Sequence, residues 1–406
     1  MLTRQELESA YAHGLFGEDM LIGLSDTGID MNIRYNAEEE DTNHRKIALY
    51  IPFSNNKEDG SDAHGTHVAG TLAGKVEGDK DLSPYDGIAY KSRIVFFDIG
   101  SGSGSETTLE TPRRITYLID AIYSAGANVH SASWGSFSEI YSFDTSSIDN
   151  YVYEHPDCFL VFAAGNDGEK GMGTVFSPSN GKNVLSVGAV YNSPYYSDIR
   201  ATFSCQGPTS DKRIKPDIMA PGVSIDSAAS SGSDKSSCRI VSKTGTSMST
   251  PIVAATALLI SEYFKKGFYP SGEENAADAF HPTAATVKAM IIHSGQSLRG
   301  EGNPLFPTTY SGSAPDNKQG FGRMDINKVL YWRNESTFNL LVREGEVNRT
   351  SLHLRFWTLP SVYVKVTLVW TDPPVSTFSS NILINDLDLS IEQNGTIYYP
   401  NKYTRH

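Results

Sequence analysis

The sequence predicts an α/β protein with a doubly wound, mostly parallel sheet, followed by a smaller, incomplete β-sandwich. Short apolar runs such as residues 20–25 and 159–165 are typical of buried parallel strands, and Ala-rich helix-like runs separate them. After Trp332 polar and apolar residues alternate over short segments such as 351–356 and 362–370, which is typical of half-buried antiparallel strands. We therefore expect a first domain over residues 1–333 and a β-sandwich domain over residues 334–406.

The first predicted strand ends at a carboxylate. Residues 20–25 are followed by Asp26-Thr27-Gly28. In open parallel sheets, sites are built at the carboxyl ends of the strands, so Asp26 is a candidate site residue. An Asp before a Gly is also common in ordinary turns, which is the alternative interpretation.

A histidine opens the next predicted helix. His64 precedes a run of small residues from 66 to 74 that can pack closely on a sheet, with Asp62 or Ser61 as the expected cap. Because His64 and His67 are three residues apart, a metal site is a second hypothesis. The zinc-protease pattern, two histidines four apart with an intervening Glu, is absent. A helix-terminal histidine without a task is the third interpretation.

A serine begins the most apolar helix of the chain. Ser247 comes shortly before residues 251–260, which are almost wholly apolar. We expect Pro251 in the first helical turn, where its missing N–H has no partner. Backbone N–H groups and the helix dipole favour negative charge at this end. The alternative is a serine that only caps the helix.

Four segments carry a family resemblance through their residues and their order. They are Ser25-Asp26-Thr27-Gly28, His64-Gly65-Thr66-His67, Ala163-Ala164-Gly165-Asn166 and Gly245-Thr246-Ser247-Met248. The chain resembles the subtilisin-like serine proteases. Residues 369–374 and 385–389 resemble parts of the C-terminal β jelly-roll domain of a subgroup of alkaline subtilases. The resemblance implies a serine endopeptidase that works through an acyl-enzyme. A non-catalytic peptide-binding protein on the same fold is the alternative.

The resemblance also implies a role for each candidate residue. Ser247 would be the nucleophile, His64 its base, and Asp26 the carboxylate that orients the imidazole. The Asn166 amide and the Ser247 N–H would stabilise the oxyanion. No cofactor is then required for catalysis.

The same resemblance places the substrate. The walls of the primary specificity pocket would be formed by Ser133, Trp134 and Gly135 on one side and by Ala163, Ala164 and Gly165 on the other. Asp167 would lie at the rim and Phe176 at the floor, with residues 100–105 as the opposing edge. A peptide would bind there by strand addition. The Phe176 ring predicts poor cleavage after Phe and Tyr, and Asp167 predicts a weak, salt-screened preference for a cationic side chain.

Composition limits the partners. The chain has 406 residues, of which 39% are hydrophobic and 20% charged, as in ordinary soluble domains. The formal net charge of −13 argues against binding of nucleic acid or of anionic membranes. No apolar run approaches the roughly 20 residues of a membrane span. We expect polypeptide substrates and a monomer.

Two features of the composition leave alternatives open. With three cysteines at least one is unpaired. We expect Cys158 to be a buried thiol, whereas Cys205 and Cys238 could pair in an oxidising compartment. Three carboxylates of the predicted β region could hold a structural calcium ion, or could form Asx turns between strands: Asp372, Asp386 and Asp388.

The ends of the sequence suggest a processed or truncated form. The chain begins Met-Leu-Thr-Arg without a recognisable signal peptide, and it stops at His406 before a sandwich has all its strands. N-glycosylation patterns at Asn334, Asn348 and Asn394 are typical of secreted proteins. We expect a secreted or endomembrane location.

Overall fold

The computed structural model describes residues 6–30, 45–53, 59, 62–76, 84–102, 108–230, 239–310, 313–346, 351–359, 361–379 and 381–402. Several sequence-based expectations fall outside these ranges. They concern the alternative cap Ser61, Cys238, the pattern at Asn348, and residues 103–105 of the opposing edge.

One large sheet organises the described chain. Its central strands are parallel to their neighbours in the order β2-β3-β1-β6-β7-β8, and β10 also pairs in parallel with β8. An antiparallel pairing adds β9 to β8, and β13 and β14 extend that edge. The strands are β1 (Leu21–Asp26), β2 (Ile47–Pro52), β3 (Arg93–Asp98), β6 (Val129–Ala132), β7 (Phe159–Ala163), β8 (Leu185–Tyr191), β9 (Ile199–Arg200), β10 (Ile218–Val223), β13 (Gly300–Glu301) and β14 (Thr308–Thr309). The predicted mostly parallel sheet is confirmed.

Small antiparallel pairs accompany this sheet. They are β4 (Gly100–Ser101) with β5 (Thr108–Leu109), β11 (Ile225–Ala228) with β12 (Ile240–Lys243), and β15 (Ile391–Gln393) with β16 (Thr396–Tyr398).

Helices cover both faces of the sheet, so it is doubly wound. On one face α2 and α5 pack with Ile22, Leu24 and Val161 in the larger apolar cluster. On the other face α3 and α4 pack with Phe97 and Leu160 in a second cluster. The helices are α1 (Glu8–Ala12), α2 (His64–Ala73), α3 (Ile115–Ser124), α4 (Phe143–Glu154), α5 (Thr246–Lys265) and α6 (Ala284–Ser294). Because both faces of the central strands are buried, their sequences are almost continuously apolar.

The described residues after 333 contain the β15–β16 hairpin and one short 3-10 helix, Pro400–Lys402. The strands predicted at 351–356 and 362–370 form no ladder in the described chain. A strand needs a neighbour for its backbone N–H and C=O groups, and alternation in the sequence cannot supply one. Apolar side chains there remain open to solvent, including Trp357 and Tyr363.

A buried ion pair fixes part of this C-terminal region to the sheet domain. Lys182 Nζ lies 2.6 Å from Asp372 Oδ2, with 3% and 2% of the two side chains exposed. Lys182 also donates to the carbonyls of Pro373 and Ile382. Asn183 exchanges two hydrogen bonds with the Asp372 backbone, at 2.8 and 2.9 Å. Asp372 is thus committed to Lys182, and the described residues contain no cluster of three His, Cys, Asp or Glu side chains suited to a metal ion.

A membrane-spanning helix would have to be long and apolar, and no helix within the described ranges meets both conditions.

Candidate active site

Parallel strands bring the predicted site residues together at the carboxyl end of the sheet. Asp26 ends β1, Ser133 follows β6, and Asn166 lies shortly after β7. The three strands are neighbours, because β6 pairs with both β1 and β7. Residues far apart in the sequence therefore meet at the carboxyl ends of adjacent strands.

The structure joins Asp26 and His64 directly. His64 Nδ1 is 2.7 Å from Asp26 Oδ1, and the carboxylate is buried while 22% of the histidine side chain is exposed. The backbone N–H of Thr27 also donates to Asp26 Oδ1, at 2.8 Å. The imidazole is thus held by one nitrogen, and its other nitrogen is left for a reacting partner.

Burial and charge act in opposite directions on the pKa of His64. Burial alone lowers the pKa, but the Asp26 carboxylate, with Asp62 and Asp59 further away, raises it above the ordinary value of 6.5. A carboxylate hydrogen-bonded to a ring nitrogen stabilises the imidazolium form. This is the electrostatic arrangement that a general base needs when it takes up a proton.

The cap of α2 differs from the prediction. Asp62 pairs with Lys243 at 2.6 Å instead of capping the helix. The residue before His64 is Ala63, whose φ of 53° turns the chain, and no side chain caps from that position. Asp59 supplies the missing acceptor, because its Oδ2 accepts from Thr66 N–H at 2.7 Å.

Asp59 was not found from the sequence, although it supports the histidine helix. Its Oδ1 accepts from Thr27 Oγ1 at 2.8 Å, and Thr27 Oγ1 accepts from Gly65 N–H at 3.0 Å. Asp59 thus links the turn after Asp26 to the start of α2. Burial raises its pKa to about 6. An acidic residue three to five positions before a helix was the available signal, but Asp62 and Ser61 are nearer to the helix start.

Ser247 is the second residue of α5 and is partly exposed. Its Oγ donates to the Ser133 carbonyl at 3.1 Å, and Ser133 Oγ donates to the Ser247 carbonyl at 2.8 Å. The hydroxyl therefore does not bond to His64 in this state. Catalytic hydrogen bonds of this kind often form only with substrate bound.

Pro251 explains the second of these bonds. It is the sixth residue of α5, not a first-turn residue as the sequence suggested. In a helix the N–H of residue 251 would donate to the carbonyl of residue 247, but proline has no N–H. The Ser133 hydroxyl takes its place at the Ser247 carbonyl, so the helix interior tolerates the proline.

Asn166 is exposed, and its amide is oriented by Thr246. Its Oδ1 accepts from Thr246 N–H at 2.9 Å and from Thr246 Oγ1 at 3.0 Å. With the oxygen occupied in this way, the Nδ2 group is directed elsewhere and is available as a donor. It lies beside Gly245, which directly precedes α5.

Three of the predicted pocket residues, Ala164, Gly165 and Phe176, pack against one another. A Cβ added to Gly165 would lie 2.8 Å from Phe176 Cδ2 and 2.9 Å from Cys205 Sγ, so the Phe176 ring packs directly against this glycine. Phe176 also packs with Ala164, and the exposed ring of Phe137 lies 6.0 Å from it. Cys205 and Cys158 are buried free thiols in the described chain.

Two of the predicted pocket residues have other contacts. The Trp134 indole packs edge-on against Phe162 at 5.5 Å and donates to Ser25 Oγ at 2.8 Å, so it points into the core. Asp167 is 3.0 Å from Lys170, and this pairing weakens its pull on a substrate cation. Ala163 ends β7, and Gly135, with Ser136 bonded to Ser177, remains at the surface.

The metal hypothesis is not supported by the histidines. His67 is buried, and its Nε2 faces the carbonyls of Ile225 and Val241 at 2.9 and 3.2 Å. Burial lowers the pKa of His67 to about 4, so the ring is neutral. His67 therefore ties α2 to the β11–β12 pair, while His64 faces Asp26.

Comparison with known proteins decides the family. Residues 17–322 match the family model described as the subtilase family, peptidase S8. The chain belongs to the subtilase family. This family consists of serine endopeptidases, and the predicted resemblance is confirmed to that extent. The match ends before the C-terminal region, so the jelly-roll assignment stays a prediction.

Relatives and solved structures agree with this assignment. Protein tagD of Dictyostelium discoideum, named a serine protease/ABC transporter B family protein, is 27% identical over 525 aligned positions, covering 95% of this chain and 28% of that protein. Subtilisin amylosacchariticus of Bacillus subtilis subsp. amylosacchariticus is 31% identical over 263 positions, covering 64% of this chain and 60% of that protein. The solved prenylagaramide maturation protease PagA has a TM-score of 0.54 at 22% identity, covering 80% of this chain and 96% of that one, which shows the fold. The chain spans about a quarter of the length of the tag relatives.

Proposed function

We propose that this chain hydrolyses peptide bonds by an Asp26-His64-Ser247 triad through an acyl-enzyme. One observation carries the proposal. The Asp26–His64 hydrogen bond of 2.7 Å lies at the carboxyl ends of the central strands. At the same end Ser133 contacts Ser247, at the start of a buried helix. A nucleophile, a base and an orienting carboxylate are the parts that acyl transfer requires.

The first step needs a rotation of the nucleophile. The Ser247 hydroxyl turns from the Ser133 carbonyl to the free His64 nitrogen, which takes its proton as the oxygen attacks the substrate carbonyl. The negative oxygen that results is stabilised by Asn166 Nδ2 and by the Ser247 N–H, which as a first-turn N–H has no partner within the helix. Asp26 stabilises the imidazolium that forms.

The second half of the reaction reverses the proton path. His64 gives its proton to the leaving amine, and the C–N bond breaks to leave an ester on Ser247. A water molecule then loses a proton to His64 and attacks the ester. The carboxylic acid product leaves and the serine regains its proton. No step requires a cofactor.

The substrates and setting are part of the proposal. We propose polypeptide substrates that lie along Ser133, Trp134 and Gly135 on one side and Ala163, Ala164 and Gly165 on the other, with Phe176 at the pocket floor and Asp167 at its rim. The substrate would contact the backbone of Trp134, since the indole of that residue donates to Ser25 Oγ and packs on Phe162. We also propose a monomeric protein in a secreted or endomembrane location, and the N-glycosylation patterns at Asn334, Asn348 and Asn394 support that location.

Labelling with a fluorophosphonate probe tests the proposal. We expect the wild type to react with the probe. Ser247→Ala should lose labelling and peptide hydrolysis because the nucleophilic oxygen is gone, and it should keep the fold because only that one oxygen is removed. Ser249→Ala is the matched control, because Ser249 is buried and bonds to the Ala220 carbonyl at 3.1 Å. Peptide binding without labelling would instead favour the non-catalytic alternative, and inhibition by chelators alone would favour a metal enzyme.

A further inference from the structure

A buried chain of polar side chains links β1 and β6 next to the proposed triad. Trp134 Nε1 donates to Ser25 Oγ at 2.8 Å, and Ser25 Oγ lies 2.9 Å from His130 Nε2. Ser25 is 0% exposed and His130 is 2% exposed. These three residues are called the buried polar chain below.

The surroundings of this chain are apolar. Ala132, Ile122 and Phe162 belong to the adjoining cluster, and the Trp134 ring packs on Phe162. Gly23 lies opposite His130 in the ladder, and a Cβ there would be 2.3 Å from Ile122 Cγ2 and 3.3 Å from His130 Cβ. The absence of a side chain at Gly23 thus makes room for Ile122 and for the close approach of the His130 Cβ.

Stability alone does not account for polar groups at this place. His130 Nδ1 is buried and has no hydrogen-bond partner among the residues that the structure describes. Burial lowers the pKa of His130 to about 3, so the ring is neutral and adds no charge interaction. Buried polar atoms without a full set of partners are costly, and well-packed apolar side chains would avoid that cost.

The buried polar chain instead connects two segments of the proposed site. Ser25 directly precedes Asp26, and Trp134 directly follows Ser133. The β1–β6 ladder has its last pair at Ser25 and Ala132. The Trp134–Ser25 hydrogen bond continues the connection beyond that pair, up to the residue whose carbonyl accepts from Ser247.

We propose that Ser25, His130 and Trp134 are positioning residues that set Asp26 against His64 and Ser133 against Ser247. The proposal rests on the proposed function, since it assumes that these residues form the triad and its contacts. Without the hydrogen bonds of the buried polar chain, the ends of β1 and β6 shift relative to each other. Small displacements of catalytic groups lower turnover strongly. A weaker Asp26–His64 contact also lowers the pKa of His64.

Two substitutions test the chain with little change of shape. Trp134→Phe keeps a ring against Phe162 and removes the N–H, and Ser25→Ala removes the central oxygen. Ser92→Ala is the matched control, because Ser92 is also 0% exposed and its hydroxyl bonds to the Ala89 carbonyl at 2.8 Å. The charged groups near His64 are unchanged in all variants: Asp26 of β1, Asp59 and Asp62 before α2, and Lys243 of β12.

The readout is kcat/KM against pH, together with the melting temperature. We expect each chain variant to lose roughly tenfold to a hundredfold in kcat/KM and its acid limb to move to lower pH. The double variant should lose no more than the worse single variant, because both break one connection. Ser92→Ala should keep the wild-type profile.

The outcomes separate this proposal from the one on which it rests. A wild type that does not react with the fluorophosphonate overturns the proposed triad and the positioning role together. If the wild type reacts, but both chain variants keep its acid limb and kcat/KM and change only the melting temperature, the chain is structural and the positioning role is wrong.

Discussion

His64 is the residue whose environment most directly predicts a pH dependence. In the proposed mechanism the neutral ring accepts the proton of Ser247, so activity would require deprotonated His64. Burial lowers its pKa, yet the carboxylates of Asp26, Asp62 and Asp59 raise it overall. We therefore expect activity to be lost as the pH falls through the raised pKa of His64, above the ordinary 6.5.

Replacing the orienting carboxylate tests this dependence. Asp26→Asn removes the largest influence that raises the pKa of His64, so the acid limb of kcat/KM should move to lower pH. Turnover should also fall by about 10³–10⁴-fold, because the amide favours the wrong tautomer. Rate profiles from acid to alkaline pH give both values. An unmoved limb would assign it to another group, such as Asp59, whose pKa is raised to about 6.

Phe176 carries the prediction on specificity. Its ring packs against Gly165 and Ala164, which are proposed pocket walls. A ring at the floor leaves little depth, so we expect poor cleavage after Phe and Tyr in a peptide library. Phe176→Gly should restore such cleavage while leaving fluorophosphonate reactivity in place. A wild-type preference for large aromatic residues would contradict the floor assignment.

At the scale of elements, the sequence predicted what local pattern determines. The strand ending at Asp26 and the helices beginning near His64 and Ser247 lie where apolar runs and small residues indicated them. Their caps and special contacts depend on distant residues and were missed. Asp59 in place of Asp62 at α2, and the Ser133 hydroxyl at the carbonyl that Pro251 leaves open, are tertiary contacts.

The late helix and the C-terminal strands show the same limit. The amphipathic pattern over residues 280–297 predicts a helix, and α6 runs over Ala284–Ser294 with Thr283 as its cap. Thr283 accepts from the Thr286 N–H, and threonine is among the residue types preferred at an N-cap, so the start of this helix had a local signal. The segments at 351–356 and 362–370 alternate polar and apolar residues as strands do. The sequence does not show which strand each would pair with, and neither forms a ladder within the described residues.

At the scale of the whole molecule, the predicted domain boundary near residue 333 hides a close contact. Asp372, for which the sequence left a calcium site or an Asx turn open, is the counterion of buried Lys182. Its carboxylate also accepts from the N–H groups of Ile384 and Asn385, at 2.9 and 2.8 Å. Sequence alone did not predict this pair, because 190 positions separate its members. The C-terminal segment thereby supplies a charge that the sheet domain needs.

Removing that charge should destabilise the entire protein. Asp372→Asn leaves an uncompensated buried ammonium group at Lys182, which costs about 3–5 kcal/mol in the free energy of unfolding. The double variant Lys182→Met/Asp372→Asn should recover much of this loss, because no buried charge then lacks a partner. Lys91→Met is the matched control. Its pair with Glu18 is 39% and 51% exposed, and such surface pairs contribute about 0–1 kcal/mol. Urea unfolding of the four proteins in calcium-free buffer measures these differences. If Asp372→Asn is as stable as the wild type there, and differs only in losing a stabilisation by added calcium, Asp372 is a calcium ligand and the ion pair is not what holds the C-terminal segment.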